Sequence, residues 1–171
     1  MVTAREWVCF ALIPLILGCT AAGLCRVRAV KILFWAAVYL YGVAVIAITL
    51  FPMPLWCAGS VSPVMGNAVP LRSIARILRV CSKDEAFWQI GGNILLAVPY
   101  GVLLGRYLKG RKRWLLVLLP WVFPVVIEGA QLVLGHMLGV MYRSVDVDDV
   151  LLNALGGYLG AGLSTACGKR G

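Results

Sequence analysis

Five long apolar runs dominate this sequence, and each has about the length of a helix that crosses a bilayer. They cover roughly 7–24, 32–51, 88–104, 114–134 and 147–166. At a rise of about 1.5 Å per residue, about 20 residues span the roughly 30 Å of hydrocarbon. Lipid offers no hydrogen bonds to a backbone, so an isolated span must satisfy its own N–H and C=O groups as a helix. Charged residues make up 13% of the chain, against about 25% in soluble domains, which excludes a soluble enzyme. The predicted fold class is all-α: a polytopic membrane helix bundle of about five transmembrane helices plus a short outer interfacial helix, with 1–171 forming one domain. Trp7, Trp88 and Trp114 open spans, where aromatic rings sit at headgroup depth. Ile16-Leu17-Gly18-Cys19 resembles a lipid-attachment site. Arg26, Arg28 and Lys31 directly after the run favour an ordinary first helix over a cleaved leader.

The formal net charge is +9. The basic residues flank the apolar runs, a distribution that fits membrane topology and anionic headgroups rather than nucleic acid. Ten of them lie in the first connection, the third connection and the C-terminal end, including Arg26, Lys31, Arg106, Lys112 and Arg170, and six lie on the other side. The positive-inside rule then predicts a multi-pass protein with its N-terminus outside and its C-terminus in the cytoplasm. All seven acidic residues fall on the outer side or in the outer halves of spans in this orientation.

The connection from Pro52 to Phe87 is the one long outer segment. Leu71, Ile74, Ala75 and Leu78 follow helical spacing, while Arg72, Arg76 and Arg79 share another face, which predicts a short amphipathic helix in the outer interface. Cys57 and Cys81 share this connection, where oxidation is chemically allowed but unbridged thiols are the main expectation. Cys9, Cys19, Cys25 and Cys167 are expected to pack. His136 is expected at the surface of an outer turn.

Polar side chains inside spans are costly and therefore mark function. In the fourth run Glu128 and Gln131 are three residues apart and share one helical face, with Pro120 and Pro124 before them to open space by a kink. In the fifth run Asp146, Asp149, Asn153, Gly157 and Gly160 fall within an arc of roughly 80°, Arg143 precedes them, and Asp148 points toward water and is left out. Gly156 and Gly160 form a GxxxG pair suited to close helix approach. The third run repeats the pattern with Asn93, Ala97, Gly101 and Gly105 on one stripe. The expected site is therefore an outer cluster of Asn93, Glu128, Gln131, Arg143, Asp146, Asp149 and Asn153. The alternative is a buried polar network that only fixes helix register.

Three blocks of residues resemble the VanZ-like family of small membrane proteins. They are Asn67-Ala-Val-Pro70-Leu-Arg72-Ser73-Ile74, Gly92-Asn93-Ile-Leu-Leu-Ala-Val-Pro99-Tyr-Gly101, and Glu128-x-x-Gln131 followed by Arg143-Ser-Val-Asp146-Val-Asp-Asp149-Val-Leu-Leu-Asn153-Ala-Leu-Gly156. They cover about 50–165 in the family's order, and Leu71 stands where the family often has Phe. Arg72 joins the expected binding residues through the first block. The family's founding member is associated with resistance to teicoplanin, so the resemblance implies a role at a bacterial plasma membrane and cell envelope.

Two mechanisms follow. In the first, the protein is not an enzyme: the cluster holds the headgroup of a lipid-linked wall precursor, or the lipoglycopeptide itself, with Arg143 on a phosphate or carboxylate. In the second, it is an intramembrane enzyme acting on a lipid headgroup, with Glu128 as general base and a divalent ion such as Mg²⁺ on Asp146 and Asp149. No cofactor is otherwise expected. Membrane lipids are the expected partners, and the sequence leaves the oligomeric state open. A transporter is disfavoured by the lack of an internal repeat.

Overall fold

A computed structural model describes residues 4–51, 66–108, 114–138 and 145–167. Among these residues there are six helices and no strand. They are α1 (Ala4–Leu24), α2 (Ala29–Leu50), α3 (Arg72–Val80), α4 (Lys83–Tyr107), α5 (Leu115–Leu138) and α6 (Val147–Cys167). The chain divides into two compact units, Met1–Ser60 and Val61–Gly171.

The first unit is the helical pair α1 and α2. Arg26 adopts a left-handed φ of 57° and ends α1 in a Schellman motif: Val27 N–H donates to Ala22 O and Arg26 N–H to Gly23 O, both at 3.0 Å. At the other end Trp7 stacks on Phe51 with ring centroids 5.6 Å apart. Tyr39 Oη donates to Ala11 O at 2.8 Å and ties the two helices midway. Cys9 and Cys25 are exposed rather than packed, because α1 buries little beyond its α2 face.

In the second unit α4 and α6 pack backbone to backbone. A Cβ on Gly156 or Gly160 would run into the carbonyl oxygens of Ile94 and Val98, and one on Gly101 into that of Gly157. The small-residue stripes read from the sequence therefore face each other, with Ala97, Gly101 and Gly105 buried. The other neighbour of α6 is α5. The buried stripe of α5 consists of Pro120, Pro124, Ile127, Glu128, Gln131 and Gly135, and Gly157 lies against Pro120. Tyr100 of α4 stacks on Phe123 at 4.8 Å and donates to Leu119 O at 2.9 Å, holding α5 to α4.

Four helices, α1, α2, α4 and α5, are long and apolar enough to cross a membrane. Large apolar side chains such as Leu17, Leu33, Val117 and Val126 are exposed on them, as lipid contact requires. The fifth expected span, α6, is 21 residues long, enough for about 30 Å. Its Asp148, Asp149, Asn153 and glycines lower its apolarity, which its packing against α4 and α5 tolerates. The expected third span begins earlier than read. Ser82 and Glu85 form a reciprocal capping box that starts α4 at Lys83, and a π turn at Phe87–Gly91 leads into its regular part.

The contact of α4 with α6 sets a stability prediction. Gly156→Ala should destabilise the protein by at least about 1–3 kcal/mol, because a carbonyl must move. Gly162→Ala, where nothing lies within 4 Å, should cost nothing measurable. Thermal unfolding in detergent reads both, and equal melting temperatures would refute the packing.

Candidate functional site

The polar residues of the second unit gather at the N-terminal end of α6, beside Asn93 just after the π turn of α4 and beside the C-terminal half of α5. Asp146 is the residue before α6, and its carboxylate Oδ1 accepts the Asp148 N–H at 2.9 Å, a helix N-cap. Its own N–H donates to Glu128 Oε2 at 3.1 Å, so the α5 carboxylate holds the start of α6. One turn on, Asp149 Oδ1 accepts Asn93 Nδ2 at 2.6 Å and joins α6 to α4. Another turn on, Asn153 Nδ2 donates to Asp149 O at 2.9 Å. Glu128, Gln131 and Asn153 are 7%, 6% and 4% exposed.

Asp148 corrects the sequence reading. It does not point to water: it is 1% exposed, and its carboxylate receives three backbone amides from the segment that opens α3. Leu71 N–H donates to Oδ1 at 2.5 Å, and Ser73 and Ile74 N–H donate to Oδ2 at 2.8 and 3.1 Å. These are donors that a helix start leaves without partners, and α3 has no capping side chain of its own. Asp148 is thus the N-cap of α3 supplied from another helix, and its charge also suits the positive end of the α3 dipole. Leu71 itself adopts a left-handed φ of 65°, a costly conformation for a branched side chain. The hydrogen bond from its N–H to Asp148 Oδ1 holds it there.

Asn67 completes the clasp. Its N–H donates to Val145 O and its C=O accepts from Val147 N–H, both at 3.0 Å, a parallel bridge to the residues before α6. Its side-chain Nδ2 donates to Asp146 Oδ1 and Ser73 Oγ, each at 3.0 Å, and its Oδ1 accepts Val69 N–H at 3.1 Å. Asn67, Ser73 and Asp148 were not among the expected site residues. The signal for them was available: a helix opening at Pro70-Leu71-Arg72 must find its cap elsewhere.

The expected residues divide as follows. Glu128 and Asp146 form one bonded pair, and Asn93, Asp149 and Asn153 a second bonded set on the next turns of α6. Gln131 is buried one turn from Glu128. Arg72 opens α3 but its side chain is exposed. Arg143 lies outside the described residues. So does Cys57, while Cys81 is a free thiol. His136 is exposed, as expected, but it lies in the last turn of α5 rather than in a connecting turn. Of the expected Mg²⁺ ligands, Asp146 Oδ1 accepts from Asn67 and the Asp148 amide, and Asp149 Oδ1 from Asn93. Among the described residues no three His, Cys, Asp or Glu side chains are grouped to hold a metal.

This arrangement joins the three sequence blocks in space, from Asn67 through Asn93 and Glu128 to Asn153. A family model described as VanZ/LLP1 matches residues 37–168. The chain belongs to the VanZ-like family. No curated protein and no solved structure matches it. The VanZ-like match runs from α2 to the end of α6 and takes in the whole cluster. It is a VanZ-like membrane protein with α4, α5 and α6 as the frame of its polar site.

The Asn93–Asp149 bond is open to a double-mutant cycle. Asn93→Ala and Asp149→Ala should couple by about 1–3 kcal/mol in unfolding measurements. The pair Asn93→Ala and Gln131→Ala should couple far less. Equal coupling in both pairs would show that the bond carries no specific energy.

Proposed function

We propose that this VanZ-like protein acts at the outer leaflet of a bacterial plasma membrane and lowers susceptibility to teicoplanin-type lipoglycopeptides. It does so by binding a polar headgroup, of a lipid-linked wall precursor or of the drug, in the cluster of Asn93, Glu128, Asp146, Asp149 and Asn153. The observation that carries this reading is the gathering of buried and half-buried polar groups where three helices with largely apolar outer faces meet. That end is separated from Arg106, where the basic third connection begins, by 13 residues of α4, or about 20 Å. The excess of basic residues beyond Arg106 supports an inner placement for that side and an outer placement for the cluster, with the N-terminus outside and the C-terminus inside. The exposed Arg72, Arg76 and Arg79 of α3 supply cationic contact for lipid phosphates at the rim.

Binding is favoured over catalysis by the way the carboxylates are used. Glu128 Oε2 accepts a backbone amide, and Asp146 Oδ1 caps a helix. A proton taken up by Glu128 would neutralise the carboxylate and weaken the charge-assisted bond that positions the start of α6.

Expression in a sensitive Gram-positive host tests the proposal. Wild type should raise the inhibitory concentration of teicoplanin and leave that of vancomycin unchanged, and Glu128→Gln and Asp149→Asn at matched protein levels should lose the effect. No protection by wild type would remove the drug-related role. Full protection by both variants would show that the cluster only builds the fold.

A further inference from the structure

Asn153 carries an unusual feature at the floor of the cluster. Its side chain is 4% exposed and its Nδ2 is bonded to Asp149 O, but its Oδ1 is buried with no hydrogen-bond partner. Exchanging the two amide atoms would set oxygen against the Asp149 carbonyl oxygen, so this atom assignment is the favoured one. Buried acceptors without donors are rare in folded proteins and point to a missing partner. The bond to Asp149 O, one turn earlier, turns the amide back toward the outer end of α6, where Asp149, Asp146 and Glu128 lie. At about 100° per residue, position 153 falls between Gly156, which meets α4, and Gly157, which meets α5. The lone acceptor therefore sits at the seam of three helices, directly beneath the Asn93–Asp149 pair. The π turn at Phe87–Gly91 directly precedes Asn93, and such turns within α-helices are frequent at functional sites.

We propose that Asn153 Oδ1 is a ligand-binding acceptor, and that the headgroup taken by the cluster carries an N–H or O–H donor: a primary ammonium or a sugar hydroxyl. This deepens the binding reading above and rests on it. The chemistry selects against two common headgroups. A trimethylammonium has the positive charge but no N–H, and a phosphodiester has acceptors only. Neither satisfies Asn153.

Native mass spectrometry of the delipidated full-length protein tests this. Four lipids with identical acyl chains are offered in equal amounts: phosphatidylethanolamine, monoglucosyl-diacylglycerol, phosphatidylcholine and phosphatidylmethanol. Wild type should retain the ethanolamine lipid, the glucosyl lipid or both by about tenfold over the other two, the value of one hydrogen bond to a buried acceptor. Which of the two is retained tells ammonium from hydroxyl. Asn153→Leu and Asn153→Ala, at melting temperatures near wild type, should bring all four to parity. Equal retention of all four lipids by wild type would overturn the proposal without any variant having to fold. A preference that survives both substitutions would also overturn it and leave an ordered water as the partner of Oδ1. Lipid preference without teicoplanin protection would remove the drug role and keep this inference, and the opposite pattern would remove this inference alone.

Discussion

The carboxylate of Asp148 is almost fully enclosed, and a charge in that position is tolerable only because three backbone amides surround it. Each of those amides comes from Leu71, Ser73 or Ile74, the start of a helix that has no cap of its own. The exchange is mutual. The carboxylate loses water but gains charge-assisted bonds and the positive end of a helix dipole. The helix gains partners for donors that would otherwise be orphaned. Because Asp146, two residues earlier, caps α6 and also binds Asn67, the same short stretch fixes both ends of the clasp. Segment 67–80 is thereby tied to α6, and α6 is tied to α5 by Glu128 and to α4 by Asn93.

The helices of the second unit divide their tasks by composition. α4 and α5 present exposed apolar faces, while α6, with its acidic start and its glycines, lies against both. Its glycines let it approach α4 until backbone meets backbone. That proximity is what allows the short side chains of Asn93 and Asp149 to reach one another at 2.6 Å. A polar site at this depth thus depends on small residues one and two turns below it. The basic side chains stay at the ends and on α3, where water or headgroups can solvate them.

Much of this was legible in the sequence, because the governing rules are periodic. The apolar runs gave the helices, and the i, i+4 stripes through Gly101 and Gly160 gave the α4–α6 seam. The same spacing placed Asn93, Glu128, Asp149 and Asn153 toward a common end. What a helical wheel could not give was the fate of Asp148. Its direction on α6 is outward from the three-helix seam, which ordinarily means solvent, and only the return of the chain through Asn67–Ile74 covers it. A contact across 74 residues or more leaves no periodic mark. The start of α4 was misplaced for a local reason, since Ser82 and Glu85 form a capping box that the apolar run alone does not reveal.

Hydrogen–deuterium exchange of the wild type and Asp148→Asn in detergent measures the clasp most directly. Asp148→Asn, which keeps one acceptor oxygen and no charge, should speed exchange of the Ser73 and Ile74 amides by about tenfold or more. The amides in the middle of α4 and α6 should keep their protection. Unchanged exchange at Ser73 and Ile74 would contradict the central role given to this carboxylate.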